Sequence, residues 1–376
     1  MNTNLFICGD IVNKTKKESF IDVKLEKIIN QQDYSICNFE APIEGEELAY
    51  QKAGPSLSQK KETLEILKKS GFDLLLLANN HMYDYGHEGL IKTMFLAKKH
   101  NLETIGAGKN YEEAYKPLIK ELNGLKIAFI NASEAQFGVL DGTNLYESSG
   151  YAWINHSLID DVIINLKGNV DKIILFAHAG LEHYEVPLVQ WKTRYRVLCD
   201  LGVDCIIGSH PHIPQGYEIY KNKPIFYSLG NFYFDTLYFS KLPDYSFSVI
   251  LKITKEEVLF ELVFHYKKDG KVRLVNEKDV PFKMENLNNL IHDKKEIEKM
   301  YIDAYNDTTK KMFSSIYSSY LSTDTFFQII KKTILKFIHF SKFKIRRSYL
   351  LQHLNRNETY RWVTITAIEL LNRKQK

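Results

Sequence analysis

Polar side chains able to bind a metal ion stand directly after five apolar runs of the sequence. The clearest case is residues 74–89, LLLLANNHMYDYGHEG, where four leucines lead into asparagine, histidine and aspartate side chains that are costly to bury without partners. The residues in such positions are Asp10 after LFICG, Asn38 and Glu40 after YSIC, Asn80, His81 and Asp84 after DLLLLA, His178 and Glu182 after KIILFA, and His210 and His212 after DCIIGS. Loops at one edge of an α/β sheet system converge in space, so we expect these side chains to meet.

Their chemistry predicts a metal centre. None of the five loops places a cysteine in an obvious ligand position, and oxygen and nitrogen donors favour Mn, Zn, Fe or Mg over softer metals. The predicted metal ligands are Asp10, Glu40, Asn80, His178, His210 and His212. Six donors suffice for two ions about 3.5 to 4 Å apart with a bridging carboxylate. Because such a pair lowers the pKa of a shared water and neutralises charge on a phosphoryl group, we expect one or two divalent ions and a hydrolytic reaction.

The elements that would position these residues follow an α/β pattern from residue 3 to about 252, in which β-rich runs alternate with helical periodicity. The predicted strands are NLFICG, YSICNF, DLLLLA, LKIAFINA, KIILFAHA, DCIIGS, KPIFYSLG and SFSVILKI, and the predicted helices are 18–31, 60–70, 88–100, 157–167 and 188–201. Hairpin signals occur at Asn123-Gly124 and in YKNKP, and a further antiparallel pair is predicted between 246–265 and 271–275. The sheets are therefore expected to be mixed.

The composition is that of a soluble globular protein. Of 376 residues, 44% are hydrophobic and 26% are charged, which argues against disorder. The four cysteines form no CxxC pair and are predicted to be reduced core residues: Cys8, Cys37, Cys199 and Cys205. No run approaches the ~20 apolar residues of a spanning helix, and the first residues lack a secretory pattern, so we expect a cytoplasmic protein.

The C-terminal part differs in both pattern and charge. After residue 284 only helical signals occur, which predicts a first domain at 1–284 and a helical region at 285–376. Residues 311–350 contain eight Lys or Arg and one Asp, a net +7, against +4 for the whole chain. The basic amphipathic segment 326–347 predicts either contact with an anionic membrane surface or a helix packed on the domain with a solvated basic face. Nucleic acid is not expected as a partner.

Seven motifs, occurring in order, resemble those of the bacterial capsule-synthesis CapA family. They are GDIV (9–12), NFEAPI (38–43), LANNHMYDYG (77–86), IGAG (105–108), HAGLEH (178–183), GSHPHIPQG (208–216) and YSLGNFYFD (227–235). The resemblance covers roughly residues 3–252, and this family is similar to the calcineurin-like metallophosphoesterases. It implies a metallophosphatase-like four-layer α/β/β/α sandwich with mixed sheets and metals at the loop edge.

The resemblance also implies roles for individual residues. Asp10 resembles the first-strand ligand and Glu40 the bridging carboxylate, and the remaining four predicted donors resemble the other ligands. His81 resembles the residue that contacts the phosphate or protonates the leaving group. Asp84 is assigned with His81 to the catalytic residues, as a group that hydrogen-bonds an imidazole of the site or shapes the turn.

Three positions depart from the metallophosphoesterase pattern. Val12 stands where those enzymes typically carry a histidine, so one metal site is short of a ligand. Glu40 replaces the aspartate of their second motif, and Asn79 replaces the glycine of their GNH motif.

Some residues also have structural interpretations. His81 could orient its loop neighbours instead of acting on the substrate. Glu182 is interpreted equally well as a substrate contact or a loop carboxylate, Asn38 as a turn residue rather than a ligand, and Asn231 as a site residue or part of a Gly-Asn turn.

The expected function is that of a CapA-like metal-dependent phosphoesterase-type hydrolase associated with capsule or cell-envelope polymer biosynthesis. Its substrate would be a phosphate ester or an envelope polymer. The alternative is a non-catalytic capsule or poly-γ-glutamate assembly factor, which keeps the fold and uses the basic C-terminal helix to contact a capsule synthase or the inner face of the membrane. Amide hydrolysis of a glutamyl polymer uses the same paired-metal chemistry and remains a third interpretation.

Overall fold

The computed structural model describes residues 2–143, 148–235, 245–314 and 348–373. The chain forms two compact units, one of Met1–Tyr50 with Ser56–Ile297 and one of Gln51–Pro55 with Glu298–Lys376. The domain boundary predicted after residue 284 stays a prediction. The basic amphipathic segment predicted at 326–347 lies outside the described residues.

The described residues contain strands and helices in alternation through most of the first unit. The strands are β1 (Thr3–Val12), β2 (Tyr34–Phe39), β3 (Leu74–Leu76), β4 (Glu103–Ile105), β5 (Ala107–Gly108), β6 (Leu118–Leu122), β7 (Leu125–Ser133), β8 (Val139–Leu140), β9 (Gly150–Ala152), β10 (Lys172–His178), β11 (Cys205–Ser209), β12 (Tyr217–Tyr220), β13 (Lys223–Phe226), β14 (Asn231–Phe234), β15 (Tyr245–Ile253), β16 (Val258–Lys268) and β17 (Lys271–Leu274). The α-helices are α1 (Val23–Asn30), α2 (Glu62–Lys69), α3 (Gly86–Lys99), α4 (Tyr111–Tyr115), α5 (Ser157–Leu166), α6 (Val189–Leu201), α7 (Met284–Leu290), α8 (Lys294–Ala304) and α9 (Glu358–Arg373).

Two large sheets and one small sheet organise the first unit. The eight-stranded sheet runs β17-β16-β15-β1-β2-β3-β4, with β14 also paired to β1, and the six-stranded sheet runs β12-β13-β11-β10-β7-β6. The small sheet has the order β5-β9-β8. β1, β2, β3 and β4 are parallel, as are β7, β10, β11 and β13, while β15, β16 and β17 pair antiparallel at one side of the first sheet and β6 and β12 pair antiparallel at the edges of the second. The prediction of mixed sheets is confirmed.

Alternating side chains on the strands build two cores. Leu5 and Ile7 of β1 belong to a core shared with β10 and β11, so the two large sheets pack face to face. Phe6 and Cys8, on the other face of β1, pack with buried residues of α1, α2 and α3. The outer side of the six-stranded sheet is covered by α5 and α6, whose apolar faces are buried. The predicted four-layer α/β/β/α sandwich is therefore confirmed.

The predicted turns agree with the structure, and one predicted strand does not. Asn123-Gly124 joins β6 to β7, and Lys221-Asn222 joins β12 to β13, all four residues having the positive φ that tight hairpins need. The stretch 246–265, predicted as one partner of a pair, is itself two antiparallel strands, β15 and β16, joined at 254–257. β14 was not predicted at all, because it begins at Asn231, the second residue of a Gly-Asn pair that is typical of a turn.

A close backbone approach fixes the strand that carries the first polar residue. A Cβ atom at Gly9 would lie 1.9 Å from the carbonyl oxygen of Gly230, so only glycine permits this spacing. β15 pairs with residues 3–7 of β1, and β14 takes over from Asp10 onward. Asp10 therefore lies where β1 changes partner, next to Asn231.

The four cysteines are free and buried, as predicted. Among the described residues, no helix is both long and apolar enough to cross a membrane.

Candidate metal centre

The residues predicted to bind metal lie together at the carboxyl ends of the parallel strands, with His178 among them. His178 Nε2 is 3.0 Å from Asn80 Oδ1 and 3.0 Å from His210 Nδ1. The same nitrogen is 3.8 Å from Glu40 Oε1, and His178 Nδ1 is 3.9 Å from Asp10 Oδ1. Side chains from four separate loops thus meet around one imidazole.

The sixth predicted ligand, His212, joins the same cluster. Its Nδ1 is 3.5 Å from Asp10 Oδ2, and its Nε2 is 3.7 Å from Glu40 Oε1. Nδ1 also lies 3.0 Å from Asn231 Oδ1, so the amide oxygen of Asn231 can hold the proton on Nδ1 and leave Nε2 as the ligand atom. All six predicted ligands are brought together, while their role as metal ligands stays a prediction.

Two overlapping sets of donor atoms share one carboxylate. Glu40, His178 and His210 form one set, and Asp10, Glu40 and His212 form the other, with the donor atoms of each set within 4.8 Å of one another. A carboxylate common to both sets is what a bridged pair of divalent ions requires.

Glu40 gives the clearest indication that a cation belongs here. Its side chain is fully buried, and within the described parts of the chain neither Oε1 nor Oε2 has a hydrogen-bond partner. A buried carboxylate without hydrogen bonds is costly, and it persists in proteins when it is paired with another charge or coordinates a metal. The residues present therefore fit one or two divalent ions.

Asn38 holds the first carboxylate in place. Its Nδ2 donates to Asp10 Oδ1 at 2.7 Å and lies 3.1 Å from His178 Nδ1. The amide thus positions two of the predicted ligands, which is more than the turn role that the sequence favoured.

The loop that carries His210 and His212 has an unusual backbone. His210 has a φ of 100° and His212 a φ of 61°, both in the left-handed region that costs a non-glycine residue about 1 kcal/mol or more. The backbone N–H of His210 donates to Asp10 Oδ2 at 3.3 Å. Such strain persists only where the surrounding structure fixes the backbone, and here it directs two imidazoles into the centre.

His81 and Asp84 form a buried pair beside the centre. His81 Nδ1 is 2.7 Å from Asp84 Oδ2, which also accepts a hydrogen bond from the Leu57 backbone N–H at 2.6 Å. An ionised carboxylate can only accept, so the proton of the imidazole lies on Nδ1, and Nε2 is the accepting nitrogen of the ring. Asp84 acts through His81 in this arrangement.

The pKa values of the buried carboxyls and imidazoles indicate a site suited to a bound cation. Burial raises the pKa of the Asp10 carboxyl to about 7. Burial, and then the charge of Asp10, raise the pKa of Glu40 well above its usual range. Burial lowers the pKa of His178 and His210 well below their usual range and that of His212 to about 3, so the imidazoles are neutral, as metal ligands must be.

One carboxylate of the site was missed by sequence reasoning. Glu134 follows β7 directly and is fully buried, with its Oε1 3.6 Å from His210 Nε2. Gln136 Nε2 and the Gly180 N–H donate to its two oxygens. The signal that found the other residues, a polar side chain directly after an apolar strand, applies to Glu134 as well. Glu182, which was left with two interpretations, lies 3.9 Å from the same nitrogen of His210.

Two of the positions that depart from the metallophosphoesterase pattern, Val12 and Asn79, make well-defined local contacts. Val12 is fully buried in a small apolar cluster with Ala41, Leu57 and Phe234. Asn79 stabilises the loop around His81: its Nδ2 donates to the Phe39 carbonyl at 3.0 Å, and its Oδ1 accepts from the His81 N–H at 3.2 Å.

The sequence of this chain is similar to those of known capsule-synthesis proteins. The family model of the bacterial capsule synthesis protein PGA_cap matches residues 5–236. The capsule biosynthesis protein CapA of Bacillus anthracis is 34% identical over 233 residues, which are 60% of this chain and 56% of that protein. The PGA biosynthesis protein CapA of Bacillus subtilis (strain 168) is 32% identical over 230 residues, 60% of this chain and 59% of that protein. The chain thus spans less than two thirds of the length of these relatives.

Solved structures with a similar backbone include a 5'-nucleotidase precursor and a calcineurin-like phosphoesterase. A 5'-nucleotidase precursor from Thermus thermophilus has a TM-score of 0.45 and 13% sequence identity, covering 77% of this chain and 57% of that chain. The calcineurin-like phosphoesterase YfkN from Bacillus subtilis has a TM-score of 0.40 and 15% identity, covering 79% of this chain and 98% of that chain.

Proposed function

The chain belongs to the bacterial capsule synthesis protein family PGA_cap, and on that premise we propose that it is a metal-dependent hydrolase of the phosphoesterase type. Its process would be the synthesis of a capsule or another cell-envelope polymer, as the names of the relatives from both Bacillus species suggest. Its substrate would be a phosphate ester or a part of the polymer itself.

The observation that carries this proposal is the environment of Glu40. Both carboxylate oxygens are buried without a hydrogen-bond partner among the described residues, and Oε1 lies 3.8 Å from His178 Nε2 and 3.7 Å from His212 Nε2. A protein that used this fold only as a scaffold would gain stability from an apolar residue at this position. Retaining the carboxylate is best explained by a cation.

Each predicted ligand is assigned to one of two metal positions or to both. Asn80, His178 and His210 would hold one divalent ion, Asp10 and His212 a second, and Glu40 both. Bound divalent ions lower the pKa of a coordinated water and neutralise the negative charge that develops on a phosphoryl group. The burial of the carboxylates and imidazoles excludes bulk water and strengthens each charge interaction in the site.

His81 is the proton-transfer group in this proposal. With its Nδ1 proton held by Asp84, its Nε2 can bind the phosphate or deliver a proton to the leaving oxygen. Because both residues are nearly or fully buried, the ring has a fixed orientation before the substrate arrives.

A second candidate function is favoured by Val12. Where the metallophosphoesterase pattern has a histidine, this chain has a buried valine in an apolar cluster, which weakens one of the two metal positions. We therefore keep the alternative of a non-catalytic assembly factor that retains a metal for structure.

The partner proposals concern residues outside the described part of the chain. Contact of the basic segment 326–347 with a capsule synthase or with the inner face of the membrane rests on its charge and periodicity alone. Binding of the full chain to anionic vesicles at low salt, released by high salt, would support the membrane contact.

Metal analysis combined with turnover tests the two functions against each other. We expect purified protein to bind Mn, Zn or Mg and to hydrolyse p-nitrophenyl phosphate or bis-p-nitrophenyl phosphate. His81→Ala should lower kcat by about 10²-fold or more, because it removes a general acid–base group without removing a predicted ligand. Bound metal without turnover above that of His81→Ala would instead favour the assembly factor.

A further inference from the structure

In the proposed centre, the metal position of Asp10, Glu40 and His212 receives no ligand from Val12, where the metallophosphoesterase pattern has a histidine. The side chain of Val12 is fully buried against Ala41, Leu57 and Phe234, so no polar atom enters the centre from this residue. The Phe234 ring also packs edge-on against His212, with ring centroids 4.9 Å apart. Apolar packing therefore occupies the region from which the missing histidine would reach in, and any further ligand must come from elsewhere.

Glu182 approaches the centre from a different loop. It follows β10 in the HAGLEH motif, and its donor atoms lie within 4.8 Å of those of His210 and His212. Its Oε1 is 3.9 Å from His210 Nε2, and its side chain is 30% exposed, whereas that of His210 is 2% exposed. Glu182 is thus the partly exposed member of an otherwise buried group of donors.

Glu182 shares its approach to the centre with a second carboxylate. Glu134 Oε1 and Glu182 Oε1 lie 3.6 Å and 3.9 Å from the same nitrogen, His210 Nε2. Two carboxylates directed at the same nitrogen repel each other, and that repulsion is relieved when a divalent cation lies between them.

Glu134, the other carboxylate near His210, lies in a closed environment. Its two oxygens accept hydrogen bonds from Gln136 Nε2 at 2.7 Å and from the Gly180 N–H at 3.3 Å. It is fully buried and therefore fixed, which suits a residue that orients the His210 ring.

We propose that Glu182 supplies the ligand that Val12 cannot, and completes the metal position to which His212 belongs. This inference rests on the proposed metal centre and identifies how its weaker position is repaired. An oxygen donor in place of an imidazole makes the position harder, so it would favour Mn or Mg over Zn.

Metal stoichiometry of charge-matched variants tests the inference. Wild-type protein stripped with a chelator is titrated with Mn, and bound metal is followed by calorimetry and by the spin-coupled paramagnetic resonance signal of a Mn pair. The variant is Glu182→Gln, and the matched control is Glu185→Gln, which removes the same charge from an exposed residue three positions further along the same loop. Both substitutions lie on partly or fully exposed side chains, so folding should be preserved.

We expect wild type and Glu185→Gln to bind two Mn ions per chain and to show the coupled signal. Glu182→Gln should bind one ion as before, bind the second at least about ten-fold more weakly, and lose the coupling. Two ions of unchanged affinity in Glu182→Gln would overturn the inference and leave the metal centre standing. A wild-type protein that binds no Mn, Zn or Mg would overturn the proposed function itself.

Discussion

At the scale of single residues, the least expected contact is the one that links Asp84 to a loop distant in sequence. Asp84 Oδ2 receives the Leu57 N–H at 2.6 Å as well as the His81 ring at 2.7 Å. The backbone of one loop thus fixes the carboxylate, and the carboxylate fixes the imidazole. This makes Asp84 a positioning residue rather than a catalytic one in the proposed reaction.

Asp84→Asn tests that role. The amide keeps an oxygen acceptor for both donors but loses the charge, so we expect kcat to fall by about 10- to 100-fold with little change in KM. Because Asp84 would act only through His81, the double variant with His81→Ala should be no slower than His81→Ala alone. Additive losses in steady-state kinetics would show that Asp84 contributes by another route.

Residue types explain why most of the cluster could be predicted and part of it could not. Asp10, Asn80 and His178 each stand directly after an apolar run, and the carboxyl ends of neighbouring parallel strands share one edge. Glu134 satisfies the same rule but lies outside the motifs of the family resemblance. The positive φ of His210 had no signal in the sequence, since non-glycine residues rarely adopt it.

At the scale of elements, the longer strands, the helices between them and two hairpins were predictable, whereas the short strands β4, β5, β8, β9 and β14 and the pairing of distant strands were not. The run DLLLLA gives a strand of only three residues, Leu74–Leu76, because Leu77 and Ala78 already leave the sheet for the loop of Asn79. β14 pairs in parallel with β1 across more than two hundred positions of sequence. Local propensity and periodicity carry no information on which distant strand a segment will join.

The hairpin of β15 and β16 buries a histidine that predicts a pH dependence of stability. His265 is 1% exposed, with its ring nitrogens 3.2 Å from Ser246 Oγ and 2.9 Å from Ser248 Oγ. Burial lowers its pKa to about 3. The unfolded chain binds this proton below about pH 6.5, while the folded chain does not until about pH 3. The free energy of unfolding therefore falls as pH falls through that window.

His265→Gln should remove part of this pH dependence. Between pH 7.5 and pH 5 the histidine costs about 2 kcal/mol, at about 1.4 kcal/mol per pH unit below 6.5. In urea unfolding with a chelator present, the free energy of unfolding of the wild type should fall by about 2 kcal/mol more than that of the variant between pH 7.5 and pH 5. His292→Gln, at an exposed position, is the control and should behave as wild type. An unchanged pH profile in His265→Gln would mean that the ring is protonated in the folded protein.

At the scale of the whole molecule, the centre joins the two large sheets. Asp10 lies near the carboxyl end of β1 in the eight-stranded sheet and Glu40 follows β2, while His178 ends β10 of the six-stranded sheet and His210 follows β11. These four side chains meet at the edge where the parallel strands of both sheets end. The sandwich was predictable because the motifs of a known family occur in order, whereas composition and periodicity alone indicate only a globular α/β protein.

Metal binding should therefore stabilise the sandwich as a unit. A cation bound by both sheets is lost on unfolding, so a free metal concentration of 100 times Kd should add about 2.7 kcal/mol to the free energy of unfolding. Thermal melts of chelator-treated protein, with and without Mn, measure this shift.

Glu40→Gln should abolish the shift, and without metal it should be at least as stable as wild type, because the buried unpartnered carboxylate is gone. Glu46→Gln, an exposed change on the following loop, should keep the full shift. Equal stabilisation of Glu40→Gln and wild type by Mn would place the cation away from Glu40 and remove the main support for a bridged pair.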